Sequence, residues 1–299
     1  MVAETPENPK EMPDGHSKGI WAALSTLPLP GSAGWQGDLG KLTSRCEQEA
    51  SALASGGVDG IVLENRHDGP FTARMETAGA VAMADMLRRV KKLTGLPVGV
   101  TVYRNDIETS LAIALNAQAS FVRIPLLAGA MFEESGVVEG CLNTLSAYRK
   151  RVPGAEHVPL WADISVRHAF RKPFSAGESP VAYLVQLIEA VAAYGWVEKL
   201  VLIADAHVTP PVVMALKEQI TDLPILIDVR AGLPELPAYY AVSDGVLLSG
   251  GLEKSAAFEP GLPAAVDMTK AEELVSKLKK IKSVDQIDPD FFLTQMYGN

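Results

Sequence analysis

One event recurs along this chain and limits its fold more than any other feature: a short apolar run ends, and a charged or amide residue follows at once. Ile61-Val62-Leu63 runs into Glu64-Asn65-Arg66, and Val98 to Tyr103 runs into Arg104-Asn105-Asp106. Val158 to Ala162 runs into Asp163, Leu200 to Ala204 into Asp205, and Pro224 to Ile227 into Asp228. Strands buried on both faces of a parallel sheet read as continuous apolar runs. In a closed barrel of strand–helix units, the polar groups at the carboxyl ends of such strands are where chemistry is placed.

The segments between the runs read as helices. Strands are expected at Ile20 to Leu24, Gly60 to Leu63, Val98 to Tyr103, Ser120 to Ile124, Val158 to Ala162, Leu200 to Ala204, Ile225 to Asp228 and Gly245 to Leu248. Helices are expected from about Lys41 to Ser55, Glu76 to Leu93 and Ile107 to Gln118, and in a segment ending near Arg151. Ser179-Pro180 and Thr209-Pro210 read as N-caps with proline at the first helical position. Thr269 to Glu272 has the spacing of a capping box. A long glycine-containing loop is expected up to Gly136, and a second long loop, with Arg167, His168 and Arg171, after Asp163. Eight alternations predict a single α/β (β/α)8 TIM-type barrel over residues 19–282, with a disordered polar tail over 1–18 and a C-terminal extension over 283–299. Phe291, Phe292 and Met296 suggest that the extension docks on the barrel or on another subunit, so a homo-oligomer is expected. An open doubly wound sheet fits less well, because no G-x-G-x-x-G follows the first strand.

Bulk properties exclude several function classes. The 299 residues are 47% hydrophobic and 21% charged, with a formal net charge of -9. An acidic chain argues against nucleic acid as partner, and the cluster Lys277, Lys279, Lys280 and Lys282 fits a solvated helix end. No stretch reaches the roughly 20 apolar residues of a transmembrane helix. Two cysteines, Cys46 and Cys141, and an N-terminus without an apolar signal core lead to a cytoplasmic expectation.

Several stretches together resemble the BtpA/SgcQ family. They are Leu27 to Ser32, Gly56 to Gly60 running to Glu64-Asn65, Arg104-Asn105-Asp106, Gly129-Ala130 with Gly136 to Gly140, and Ala162-Asp163 with His168-Ala169. The order and spacing of these motifs, over most of residues 19–282, make the combination specific. The resemblance implies a TIM-type barrel. It also implies two settings: photosystem I biogenesis in cyanobacteria, and association with sugar-utilisation genes. The second half departs from the family pattern. Asp205-Ala206-His207 and Asp228 to Gly232 replace small residues and a glycine turn, and Ser249-Gly250-Gly251-Leu252-Glu253-Lys254 stands where the family favours Gly-Thr-Ser-Leu-Lys. Backbone amides at this corner commonly hold phosphate in such barrels, so the altered loops imply a changed or lost ligand there.

Glu64, Asp106, Asp163 and His168 are the catalytic candidates. Carboxylates converging in a partly dry pocket can divide the roles of acid and base, and histidine transfers protons near neutral pH. Asp106 can equally cap the helix from Ile107, Glu64 can pair with Arg66 or Arg104, and His168 can lie on the surface between Arg167 and Arg171. Asn65, Arg104, Asn105, Asp205, Asp228, Gly250 and Gly251 are the candidate substrate contacts, with Arg104 offering two parallel bonds to an anion. Arg123 can hold an anion in the same way, but it lies inside a strand, where it can instead neutralise a buried carboxylate. His207, close to Asp205, invites a divalent metal, but no tight ligand motif such as H-E-x-x-H occurs and no cofactor is expected. The expected function is acid–base chemistry, of the lyase, isomerase or hydrolase kind, on a small anionic sugar- or nucleotide-derived metabolite. The alternatives are a non-catalytic assembly factor and a small-molecule-binding subunit of a complex.

Overall fold

The computed structural model describes residues 18–133, 136–164, 179–254 and 263–281. In chain order the strands are β1 (Gly19–Ser25), β2 (Gly60–Glu64), β3 (Val98–Thr101), β4 (Val122–Ile124), a pair formed by β5 (Ala130–Glu133) and β6 (Gly136–Glu139), then β7 (Leu160–Asp163), β8 (Val197–Ile203), β9 (Ile225–Val229) and β10 (Gly245–Leu248). All but β5 and β6 run parallel and close into an eight-stranded barrel in the order β1-β2-β3-β4-β7-β8-β9-β10. The helices are α1 (Leu39–Ser55), α2 (Thr77–Thr94), α3 (Ile107–Ala117), α4 (Leu142–Arg151), α5 (Pro180–Ala192), α6 (Pro210–Gln219), α7 (Leu236–Val242) and α8 (Met268–Leu278). The architecture is the TIM-type barrel that the alternation of runs implies.

Successive residues of a strand point to opposite faces. One set therefore packs outward against the helices, and the other fills the barrel. Trp21, Val62, Phe121, Trp161, Val201, Leu226 and Leu247 form a separate buried cluster, one residue from each of seven strand segments. Its centre is aromatic: Phe121 and Trp161 stack at 3.6 Å between centroids, and Trp21 meets Trp161 edge-on at 4.7 Å. Such bulk needs small neighbours. A Cβ at Gly60 would lie 2.0 Å from the Trp21 ring, and one at Gly99 would lie 2.2 Å from the Phe121 ring.

The helix starts show where the local signals held and where they shifted. Asp38 accepts from the Lys41 N–H at 2.8 Å and Asp106 from the Thr109 N–H at 3.2 Å. The start of α8 is set by Asp267, which accepts from the amides of Thr269 and Lys270, so the cap lies two residues before the expected Thr269. Ser179 and Thr209 occupy the cap positions ahead of Pro180 and Pro210 but make no side-chain cap bond. The β5–β6 hairpin falls in a stretch that reads as loop. Its strands are four residues each and β6 is largely exposed, so no buried run marks it. Lys18, the last residue of the expected tail, donates from its ammonium to the carbonyls of Tyr240 and Ala241 and is anchored. Residues 1–17, the His168 loop with Arg167 and Arg171, and the extension over 283–299 lie outside the described residues.

Candidate active site at the barrel mouth

The polar layer of the mouth follows from the period of the strands. Two residues beyond Val62 comes Glu64, beyond Phe121 comes Arg123, beyond Trp161 comes Asp163, and beyond Leu226 comes Asp228. Each therefore points into the barrel directly above the aromatic cluster. All four are buried, with relative exposures between 0% and 7%.

Arg123 holds the centre. Its Nε donates to Asp163 Oδ1 at 2.8 Å and its Nη2 to Asp163 Oδ2 at 3.0 Å, a parallel two-bond pair. The same Nη2 donates to Asp228 Oδ2 at 2.5 Å. Arg123 Nη1 and Asp228 Oδ1 are buried, and neither has a hydrogen-bond partner among the described residues. Burial opposes the charge of Arg123, but Asp163 and Asp228 outweigh it and hold the guanidinium protonated well above its ordinary range. Burial also pushes the Asp163 carboxyl up to about 6, against the pull of Arg123 and with a further push from Asp228 and Glu64.

A second ion pair flanks this group. Arg66 Nε donates to Glu64 Oε1 at 2.7 Å, and Ser25 Oγ donates to the same oxygen at 2.8 Å. Tyr103 donates its hydroxyl to Glu64 Oε2 at 3.3 Å, and burial, followed by Glu64, raises the Tyr103 pKa. Arg104 lies at the rim, its guanidinium 5.1 Å from the Phe71 ring centroid and 5.6 Å from that of Tyr103. A cavity of about 220 Å³ opens among these groups, lined by Arg66, Phe71, Tyr103, Arg104, Arg123, Pro125, Met131, Asp163, Ile203, Asp228 and Ser249. That is room for roughly seven waters, or for a small metabolite.

The structure separates the candidates into groups. Asp163, Asp228 and Arg104 line the cavity, and Glu64 braces Arg66 at its edge. Asp106 does not: its oxygens accept from the amides of Thr109 and Met75, so it caps α3 and ties down the loop before α2. Asn65 donates to Asp68 and accepts from the Tyr103 N–H, and Asn105 bonds both the N–H and the carbonyl of Leu126 and the carbonyl of Glu139. Both amides are loop braces that hold the walls of the mouth. Asp205 accepts from the amides of His207 and Val208 in a tight turn, and His207 is exposed. Gly250 and Gly251 form a turn beside Ser249, with φ of 126° and 87°. Among the described residues no group of three or more His, Cys, Asp and Glu could hold a metal ion. Between Asp163 and Asp228 the central cation is a guanidinium. Tyr103, Phe71 and Ser249 line the cavity without having been singled out from the sequence. The two-residue step from an interior apolar position would have flagged Ser249, which follows Leu247.

Solved structures support the fold at low identity. The chain superposes on N-(5'-phosphoribosyl)anthranilate isomerase from Pyrococcus furiosus with a TM-score of 0.52 at 13% identity, covering 88% of this chain and 100% of that one. It superposes on Xanthomonas albilineans dihydropteroate synthase with a TM-score of 0.52 at 14% identity, covering 92% and 96%. Sequence relatives reach further. The photosystem I biogenesis protein BtpA of Synechocystis is 34% identical over 274 residues, 89% of this chain and 92% of that protein. An uncharacterised protein of Thermococcus kodakarensis is 26% identical over 271 residues, 90% of this chain and 98% of that one. The model of the BtpA family matches residues 16–280, a span that takes in every strand of the barrel and every charged group of its mouth. With that match and the near full-length relative agreeing, this chain belongs to the BtpA family.

Proposed function

We propose that this chain is an enzyme that binds a small anionic metabolite, sugar- or nucleotide-derived, at the barrel mouth and moves a proton through Asp163. The observation behind this reading is the Arg123–Asp163–Asp228 group, in which Arg123 Nη1 and Asp228 Oδ1 are buried on residues that line the cavity and lack a partner among the described residues. Leaving buried polar atoms unpaired costs about 1–3 kcal/mol each. A ligand that offers one acceptor and one donor removes that cost. A carboxyl near 6 is suited to give and take protons at neutral pH.

Charge counting supports an anionic ligand. Among the described residues, the mouth holds three carboxylates, Glu64, Asp163 and Asp228, and three guanidiniums, Arg66, Arg104 and Arg123. Protonation of Asp163 leaves one positive charge in excess. An anion is then bound together with a proton, which would be available to chemistry of the lyase, isomerase or hydrolase kind. Thermal-shift screening with sugar acids, sugar phosphates and nucleotides tests the reading. At least one should raise the melting temperature of the wild type, and Asp163→Asn should retain that binding while losing turnover.

The Synechocystis relative supports a second reading, a non-catalytic role in assembly. It gains if no small anion stabilises the wild type. Among the described residues, no helix is long and apolar enough to cross a membrane, so either role is filled without a spanning helix in that part of the chain.

A further inference from the structure

A second cavity of about 110 Å³ adjoins the mouth and shares Arg66 and Ser249 with it. Its far wall is the corner where the turns after the seventh and eighth barrel strands meet. The two turns are in close contact: Ala231 N–H donates to the Gly250 carbonyl at 2.8 Å, and a Cβ at Gly251 would lie 3.0 Å from the Gly232 nitrogen. Barrels commonly bind phosphate on backbone amides at this corner. Here an amide of the corner is already taken. Gly251 N–H donates to Glu253 Oε2 at 2.8 Å, and the other carboxylate oxygen, Oε1, is 3.5 Å from where a Cβ on Gly250 would stand. The carboxylate thus folds back over its own turn. The backbone of Glu253 is fixed in turn, because its carbonyl accepts from Lys270 Nζ at 2.6 Å.

The charges around this cavity do not favour a second anion. Glu49 lines it as well, and Arg45 is bound to Glu49 at 2.6 Å. Arg66 is bound to Glu64 at 2.7 Å. Each of these cations already has its carboxylate, and the Glu253 carboxylate at the wall adds a further negative group, bonded to the Gly251 amide. A phosphate entering here would meet a like charge within a few ångströms and would have to displace a charge-assisted hydrogen bond.

We infer that Glu253 is a specificity-determining residue that fills the anion corner of the barrel from within, so that the site selects metabolites without a phosphate group at that end. The inference rests on the reading of the mouth as a metabolite site and narrows its substrate class. The anionic group of the substrate is one that Arg104 and Arg123 recognise, such as a carboxylate. The part that reaches the second cavity is uncharged and hydroxylated, matched to Ser25, Ser249 and Glu253, which all line it.

Inorganic phosphate is the direct probe. It is titrated by calorimetry into wild type, E253A and E253Q, while the Gly251 amide resonance is followed by NMR. E253A frees the amide and should bind phosphate at least about tenfold more tightly than wild type, with the Gly251 resonance moving. E253Q removes the charge but keeps an acceptor for Gly251, so it should fall between the two, and it decides the matter if E253A fails to fold. Equal phosphate binding by wild type and the folded variants overturns the inference, and so does its absence from all of them. The probe makes no use of Asp163, so adding Asp163→Asn to E253A should leave the gain intact. A metabolite screen that fails beside a gain of phosphate binding removes the enzyme reading and spares the assignment of the corner.

Discussion

Arg123 and Asp163 bear opposite consequences for stability, although they share two hydrogen bonds. Arg123 is the only guanidinium in bonding contact with two buried carboxylates among the described residues. Arg123→Met strands both of them and should cost about 3–5 kcal/mol of folding stability, read by denaturant unfolding at pH 7. Asp163→Asn leaves one arginine facing one aspartate and removes the carboxylate that burial opposes. It should leave stability at pH 7 equal or raised, by on the order of 1–3 kcal/mol. The pH dependence follows from the raised carboxyl. The folded protein holds this proton up to about pH 6, whereas the unfolded chain releases it near the ordinary aspartate value of 3.8. The contribution is therefore fully present below pH 3.8 and is lost as pH rises through about 6. Unfolding free energies of wild type and Asp163→Asn should converge at low pH, separate between about pH 4 and 6, and stay apart above pH 6. A gap that stays constant across this range would mean that burial does not hold the Asp163 proton.

At the scale of elements, the strands were legible because they are buried on both faces, and burial leaves an unbroken apolar run in the sequence. The Ile61-Val62-Leu63 and Ile225-Leu226-Ile227 runs lie within strands whose every residue is buried. The hairpin was not legible, since Gly136 to Glu139 is mostly exposed and bears no such mark. Site residues were legible only as far as their strand position fixes their direction. Asp163 and Asp228 follow apolar interior residues by two and point inward, whereas Asp106 and Asn105 leave the strand in a turn and serve the loops instead. Asp106→Ala should accordingly cost about 1–2 kcal/mol through loss of the α3 cap and of the Met75 bond, with ligand affinity unchanged. A fall in affinity without a fall in melting temperature would return Asp106 to the site. Inside the barrel, Gly60→Ala places a methyl group 2.0 Å from the Trp21 ring and should destabilise by about 1–3 kcal/mol. An unchanged melting temperature would mean that the aromatic cluster is looser than its stacking implies.

For the whole molecule, the barrel was legible and the ligand was not, because fold follows from pattern while recognition depends on which atoms are left unpaired. Arg123 illustrates the limit. Its place in a strand suggested a buried carboxylate as partner, but only the closed barrel brings Asp163 and Asp228, 40 and 105 residues distant, onto one guanidinium. Residues 283–299, which include Phe291, Phe292 and Met296, are expected to cover apolar surface on this barrel or a second copy. Removing them should lower the melting temperature or the mass measured by light scattering, and a change in neither rejects both forms of docking.

On the proposed function, the mouth takes up an anion and a proton together. Calorimetric titration at pH 7, in two buffers of different ionisation enthalpy, measures this with the small anion that most stabilises the wild type. The wild type should take up about one proton per anion bound, because Asp163 is largely ionised before binding and protonated after it. Asp163→Asn should bind the same anion with no proton uptake and with an affinity independent of pH between 5 and 8. Equal proton uptake by wild type and Asp163→Asn, or binding that ignores pH in both, would contradict the account.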